Sequence, residues 1–136
     1  MPASRRALVL SLLPKPFAIC RLAAEAPLPQ WATGGQFFSI TRTSEELSVV
    51  VEADLVPGTL RAETGWRAMK VHGPLDLSAV GILASLVGPL AKAQISVFTI
   101  STFDTDYLFT KVVQLQTALK ALREAGYTVH ENESIS

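Results

Sequence analysis

GILASLVGPLAKAQISVFTISTFDTDYLFTK, residues 81–111, carries the reading that decides the fold. Ile95–Ile100, ISVFTI, is apolar at both alternating positions, the pattern of a strand covered on both faces in the middle of a sheet. Phe103, Asp104 and Thr105 form a tip, and Tyr107–Thr110 returns as the partner strand. Upstream, Val80, Leu83, Leu86, Val87 and Leu90 recur at helical spacing and predict one buried stripe. Asp76 or Ser78 can cap that helix, because either side-chain oxygen accepts from an unpaired first-turn amide. Pro89 has no amide hydrogen and crowds the preceding turn, so a kink or loosening is expected near Gly88.

Working outward, Trp66–Val71 is a strand that runs into a turn at His72, Gly73 and Pro74. On the other side, Val112, Leu115, Leu119 and Leu122 define a second amphipathic helix, which Gly126 can end in the left-handed conformation. Tyr127–His130 makes a last strand. The order βαββαβ predicts an α+β, ferredoxin-like sandwich with helices on one side of an antiparallel sheet.

The N-terminal half is less regular. Ala7–Leu13 reads as a buried strand stopped by Pro14, and is too short, with no small-residue cleavage site behind it, for a signal peptide. Phe17–Ala24 is expected as a short helix, followed by a loop to Gly35. QFFSITRT and ELSVVVEAD then form a hairpin over the tip Arg42–Glu45, before Val56, Pro57 and Gly58 interrupt the pattern. Without gaps this hairpin overlays the later one at a spacing of sixty, Phe38 on Phe98 and Ile40 on Ile100. Two related units follow: residues 1–62, lacking a second helix and last strand, and residues 63–136.

Apolar residues at 49% and charged residues at 18% predict a chain that folds by itself. Twelve basic against twelve acidic residues give no net charge, which removes the phosphate-neutralising term that nucleic-acid binding needs. No run approaches the length of a membrane span. The lone Cys20 has no disulfide partner, fits a reducing, cytoplasmic setting, and reads as a buried structural thiol. His72 and His130 share no metal spacing, and no nucleophile elbow, P-loop or dinucleotide fingerprint is present. Neither catalysis nor a cofactor or metal is expected.

ISTFDTDYLFTK, Ile100–Lys111, with the helix and ISVF before it, resembles the ACT domain subgroup that includes the cytosolic arginine sensors of the CASTOR type. A more diffuse likeness covers Trp66–Glu131. The resemblance implies a ferredoxin-like ACT sandwich with a truncated ACT-like unit packed beside it. It also implies amino-acid ligands set at the junction of two sheets, and sensing or regulation without chemistry. An amino acid or similar zwitterion is then the expected partner, with a homodimer and a protein partner also open.

A zwitterion needs donors and acceptors side by side. Amides around Leu77, Val80, Gly81 and Ile82 would supply the donors at a helix N-terminus, where the dipole favours an anion. Gly81 would allow close approach or simply pack on a strand. Acceptors would come from Ser101, Thr102, Asp104 and Asp106, although aspartate is also an ordinary turn residue. Phe103 and Tyr107 could cover an aliphatic side chain or belong to the core. His72 and Gly73 lie in the same turn, where His72 could equally be solvated. On the family geometry, Ser96 and Val97 would add backbone hydrogen bonds. The alternative is an interaction module that has lost its ligand and recruits a protein through a sheet edge or apolar surface.

Overall fold

The computed structural model describes residues 8–72 and 81–131. Among them are eight strands: β1 (Val9–Leu12), β2 (Phe17–Leu22), β3 (Phe38–Arg42), β4 (Leu47–Glu52), β5 (Ala62–Val71), β6 (Val97–Ser101), β7 (Asp106–Lys111) and β8 (Thr128–His130). Two α helices, α1 (Ile82–Lys92) and α2 (Leu115–Glu124), complete the regular structure. The expected cap at Asp76 or Ser78, and Gly73, Leu77 and Val80, lie outside the described residues.

The chain divides into two compact units. The larger contains the described residues up to Pro14 and from Arg67 onward. Its strands lie in the order β8-β1-β5-β7-β6. With α1 after β5 and α2 after β7, this is the α+β, ferredoxin-like βαββαβ pattern, with β1 inserted beside β5. The sequence reading placed the first strand in the N-terminal unit. Instead β1 pairs antiparallel with β5, Leu10 opposite Val71, and parallel with β8, Leu10 opposite Val129. A strand whose Leu10 and Leu12 are both buried requires neighbours and a covered face, and this position supplies them.

One face of this sheet carries the helices. Leu86 and Leu90 of α1 and Leu115, Ala118, Leu119 and Leu122 of α2 pack with Leu10, Leu12, Met69, Val71, Leu108 and Val129. Removing one such leucine side chain costs about 2–5 kcal/mol. Val112, expected in the helical stripe, instead belongs to a 3-10 turn ahead of α2 and is exposed. Gly126 ends α2 in the left-handed region at φ 102°. Its amide bonds Arg123 O at 3.0 Å and the Tyr127 amide bonds Leu122 O at 3.1 Å, which adds donors to the carbonyls of the last turn.

α1 runs through Pro89. The amide that proline lacks would have bonded the Ser85 carbonyl, and the Tyr127 hydroxyl donates to that oxygen instead, at 3.0 Å. The local loosening expected at Pro89 is met by this substitute donor.

ISVFTI also sits differently from expectation. β6 pairs only with β7 among the described strands and is an edge, its faces half-buried. Its apolar residues are partly covered from α1 and across from β7, where Phe98 stacks on Phe109 with ring centroids 4.6 Å apart.

The smaller unit, residues 15–66, has the strand order β3-β4-β2 followed by the first half of β5. Here the expected helix at Phe17–Ala24 is a strand. Phe17–Leu22 pairs with Glu52–Leu47 of β4 on one side and with β5 on the other, burying Phe17, Ala18 and Cys20. Burial between two strands outweighs the mild helix preference of CRLAA.

The two hairpins correspond in turn geometry at a spacing of fifty-nine, one residue off the gapless overlay. Arg42 opposes Leu47 and Ser101 opposes Asp106, each pair enclosing a four-residue tip. Threonine opens both tips. The Thr43 amide bonds Glu46 O at 2.9 Å and the Glu46 amide bonds Thr43 Oγ1 at 3.2 Å. Likewise the Thr102 amide bonds Thr105 O at 2.8 Å and the Thr105 amide bonds Thr102 Oγ1 at 3.1 Å. A slip of one residue exchanges the two faces of a strand, so alignment by residue type alone had set inward residues on outward ones.

Candidate functional site

Short bonds place the start of α1 and the β6–β7 tip at one end of the larger unit's sheet. The Tyr127 hydroxyl holds the Ser85 carbonyl in the first turn of α1. Thr128, the next residue, pairs with Val9 in β1. The Val9 carbonyl accepts the His72 amide at 2.8 Å, and the preceding Val71 carbonyl accepts Thr105 Oγ1 at 2.5 Å. Thr105 is buried, so this bond seats the tip on the end of β5.

At that end α1 opens on Gly81 in the left-handed region, φ 88°, with nothing within 4 Å of where a Cβ would stand. Gly81 at the N-cap makes no side-chain cap, and among the described residues no acidic side chain lies in the first turn. The Ser85 amide bonds Gly81 O at 2.9 Å. Ile82 is half-buried against the core.

The tip itself combines fixed and open groups. Ser101 donates its hydroxyl to Asp106 Oδ1 at 2.5 Å across the hairpin. Thr102 is spent on the turn. Asp104 is exposed, and Phe103 projects with 82% of its surface free. Burial pushes the Tyr107 hydroxyl above its ordinary value of 10.0, so it stays a neutral donor and acceptor.

Gly81, Ile82, Ser101, Thr102, Phe103, Asp104 and Asp106 therefore share one end of the sheet. Ser96 and Val97 stand at the other end of β6, where Val97 opposes Thr110, about 13 Å away at the usual rise of a strand. The Ser96 amide is already bonded to Gln114 Oε1 at 3.1 Å, and Gln114 Nε2 donates to Gln94 O. The His72 ring bonds Ser11 Oγ, on a different strand from the tip. Thr105 and Tyr127 are the positioning residues that sequence reasoning missed. A threonine closing the tip and a tyrosine just after a helix-ending glycine were the only signals of them.

Among the described residues no group of three or more His, Cys, Asp or Glu side chains could hold a metal ion. Nor is any described helix long and apolar enough to cross a membrane.

Known proteins bear on this geometry. The family model described as ACT domain matches residues 61–124, and a second model, of an N-terminal domain, matches residues 15–59. Human cytosolic arginine sensor for mTORC1 subunit 1 is 33% identical over 93 residues, covering 62% of this chain and 27% of the sensor. The chain thus spans about a quarter of that relative's length. A crystal structure of an Agrobacterium tumefaciens protein is 36% identical, with TM-score 0.88 over 93% of this chain and 94% of that one. The allosteric aspartate kinase of Clostridium acetobutylicum shares the fold at 13% identity, with TM-score 0.64 over 85% of this chain and 34% of that one. Residues 61–124 thus carry an ACT domain.

Proposed function

We propose that this chain is a regulatory module that binds an amino acid or similar small zwitterion and carries out no catalysis. The observation that carries the reading is the bond from Thr105 to Val71 O, which seats the hairpin tip at the end of the sheet where α1 opens. Amides at the start of the helix are donors for a carboxylate, and its dipole adds to their pull. The exposed Asp104 carboxylate is an acceptor for an ammonium group. The ACT domain over residues 61–124 and the likeness to a protein named as a cytosolic arginine sensor support an amino-acid ligand and a cytoplasmic setting.

A thermal-shift plate of the twenty amino acids tests this. One or two compounds should stabilise the protein, by about 2.7 kcal/mol at one hundred times the dissociation constant. Asp104→Ala should abolish the shift and leave the melting point without ligand near that of the parent. A flat plate would favour a module that recruits a protein partner, a reading for which the exposed Phe103 and Val113 and the edge strand β6 speak. Survival of the shift in Asp104→Ala would move the ammonium site elsewhere.

A further inference from the structure

The face of the larger unit's sheet away from the helices holds a second group of polar side chains. Leu10, Leu12, Met69, Val71 and Val129 point into the helix-side core, so the alternation of strands sends Ser11, Lys70, His72 and His130 to the opposite face. Ser11 opposes Lys70 on one side and His130 on the other, which sets the three in one row across β5, β1 and β8. His72 stands two residues beyond Lys70 on the same face. Its Nε2 meets Ser11 Oγ, and its ring centroid lies 6.3 Å from that of His130.

Burial within the group is uneven. Ser11 is 5% exposed, while Lys70, His72 and His130 are exposed around it. A hydroxyl thus lies at the floor of a shallow bowl whose rim is one ammonium and two imidazoles. The described carboxylate next in sequence, Glu131, is engaged by Arg123 of α2 at 3.2 Å. β1 brings only Val9 and Ser11 to this face. From β7, the alternation that puts Leu108 in the core brings Tyr107 and Lys111, a neutral phenol and a further cation.

We propose that Ser11, Lys70, His72 and His130 form an oxyanion site for phosphate or a phosphoryl group, separate from the amino-acid site at the start of α1. The Ser11 hydroxyl donates to one oxygen, the Lys70 ammonium and the imidazoles to the others, and three positive or chargeable groups leave a divalent cation disfavoured. The bowl lies on the sheet face opposite α1, which keeps this proposal independent of the reading above.

The test is proton NMR of the two histidine rings in the full chain. Sodium phosphate is titrated against sodium chloride at equal ionic strength, with phenyl phosphate and glycine in parallel. Phosphate should shift the resonances of both rings in a saturable way, several-fold more than chloride does at equal ionic strength. Lys70→Gln, a change at an exposed position, should weaken binding several-fold, and Ser11→Ala should do the same if it folds. Shifts from phenyl phosphate as large as those from phosphate identify a phosphoryl group on a larger molecule as the ligand; smaller ones identify the free ion. Ring resonances that respond no more to phosphate than to chloride overturn the proposal. So does a response to glycine alone, which would assign the bowl to the amino-acid site, or broadening by stoichiometric zinc without any response to phosphate.

Discussion

The hairpins β3–β4 and β6–β7 share a turn but not an anchor. Each closes four residues behind a threonine whose amide and hydroxyl tie back to the fourth tip residue. The first tip is held from outside, where Arg21 Nη2 reaches Glu45 O at 3.0 Å. The second sends a buried threonine hydroxyl into the backbone at the end of β5. Turn chemistry is therefore repeated in the two units, whereas the bond that sets a tip beside a helix start is present in one. A local motif makes a hairpin; a single long-range bond makes it part of a site.

The small unit, whose described helical segments are the 3-10 turns Gln30–Thr33 and Ala53–Leu55, holds a buried carboxylate. Glu52 is buried at the end of β4, its Oε2 accepts the Gln36 amide at 2.8 Å, and Lys15 lies 3.7 Å from Oε1. Gly35, at φ 77°, leaves room for it: a Cβ there would fall 2.7 Å from the Glu52 carboxyl carbon. The largest expected effect follows. Gly35→Ala adds left-handed strain and displaces a buried hydrogen-bonded carboxylate, at about 3 kcal/mol. Gly126→Ala in the larger unit, with open space around it, should cost only about 1 kcal/mol. Urea unfolding measures both, and equal losses would break the contrast.

Next in size is the anchor itself. Thr105→Val removes the bond to Val71 O and should cost about 1.5 kcal/mol, whereas Thr43→Val, on an exposed tip that water can serve, should cost about 0.5 kcal/mol. Hydrogen exchange at the tip amides would show whether the loss stays local. If the two variants match, the buried bond is no anchor.

The smallest effect is in alkaline solution. Burial pushes the Cys20 thiol above its ordinary 9.0 and the Tyr107 phenol above its ordinary 10.0. Folded protein then keeps protons that the unfolded chain releases. Stability is full below these values and declines as pH rises past 9.0, first through Cys20 in the small unit and then through Tyr107 in the larger. Cys20→Ala should remove the first part of the decline; a curve unchanged by it would show that the thiol contributes nothing.

Periodic elements were legible in the residues. Leu115, Leu119 and Leu122 predicted α2, and the β-rich runs predicted both hairpins, because each signal lies within one turn or one pair of neighbouring strands. β2 was misread because FAICRLAA has no strong period of its own, and its partners, Val49 and Val51 on one side and Ala62 on the other, come later in the chain. At the candidate site, Asp104 and Ser101 could be read as tip residues. The bonds that position the tip and the helix could not, since they join residues 34 and 42 positions apart. One hydroxyl on a threonine or tyrosine does not announce so distant a carbonyl.

The seat of β1 also governs the order in which the nascent chain can finish folding. Residues 15–66 are contiguous and can pair their strands as soon as they clear the ribosome. β1 is synthesised before them, but its parallel neighbour β8 emerges on the order of several seconds later. During that interval β1 can pair with β5 alone, so Leu10 and Leu12 wait for β8 and α2 to complete their cover.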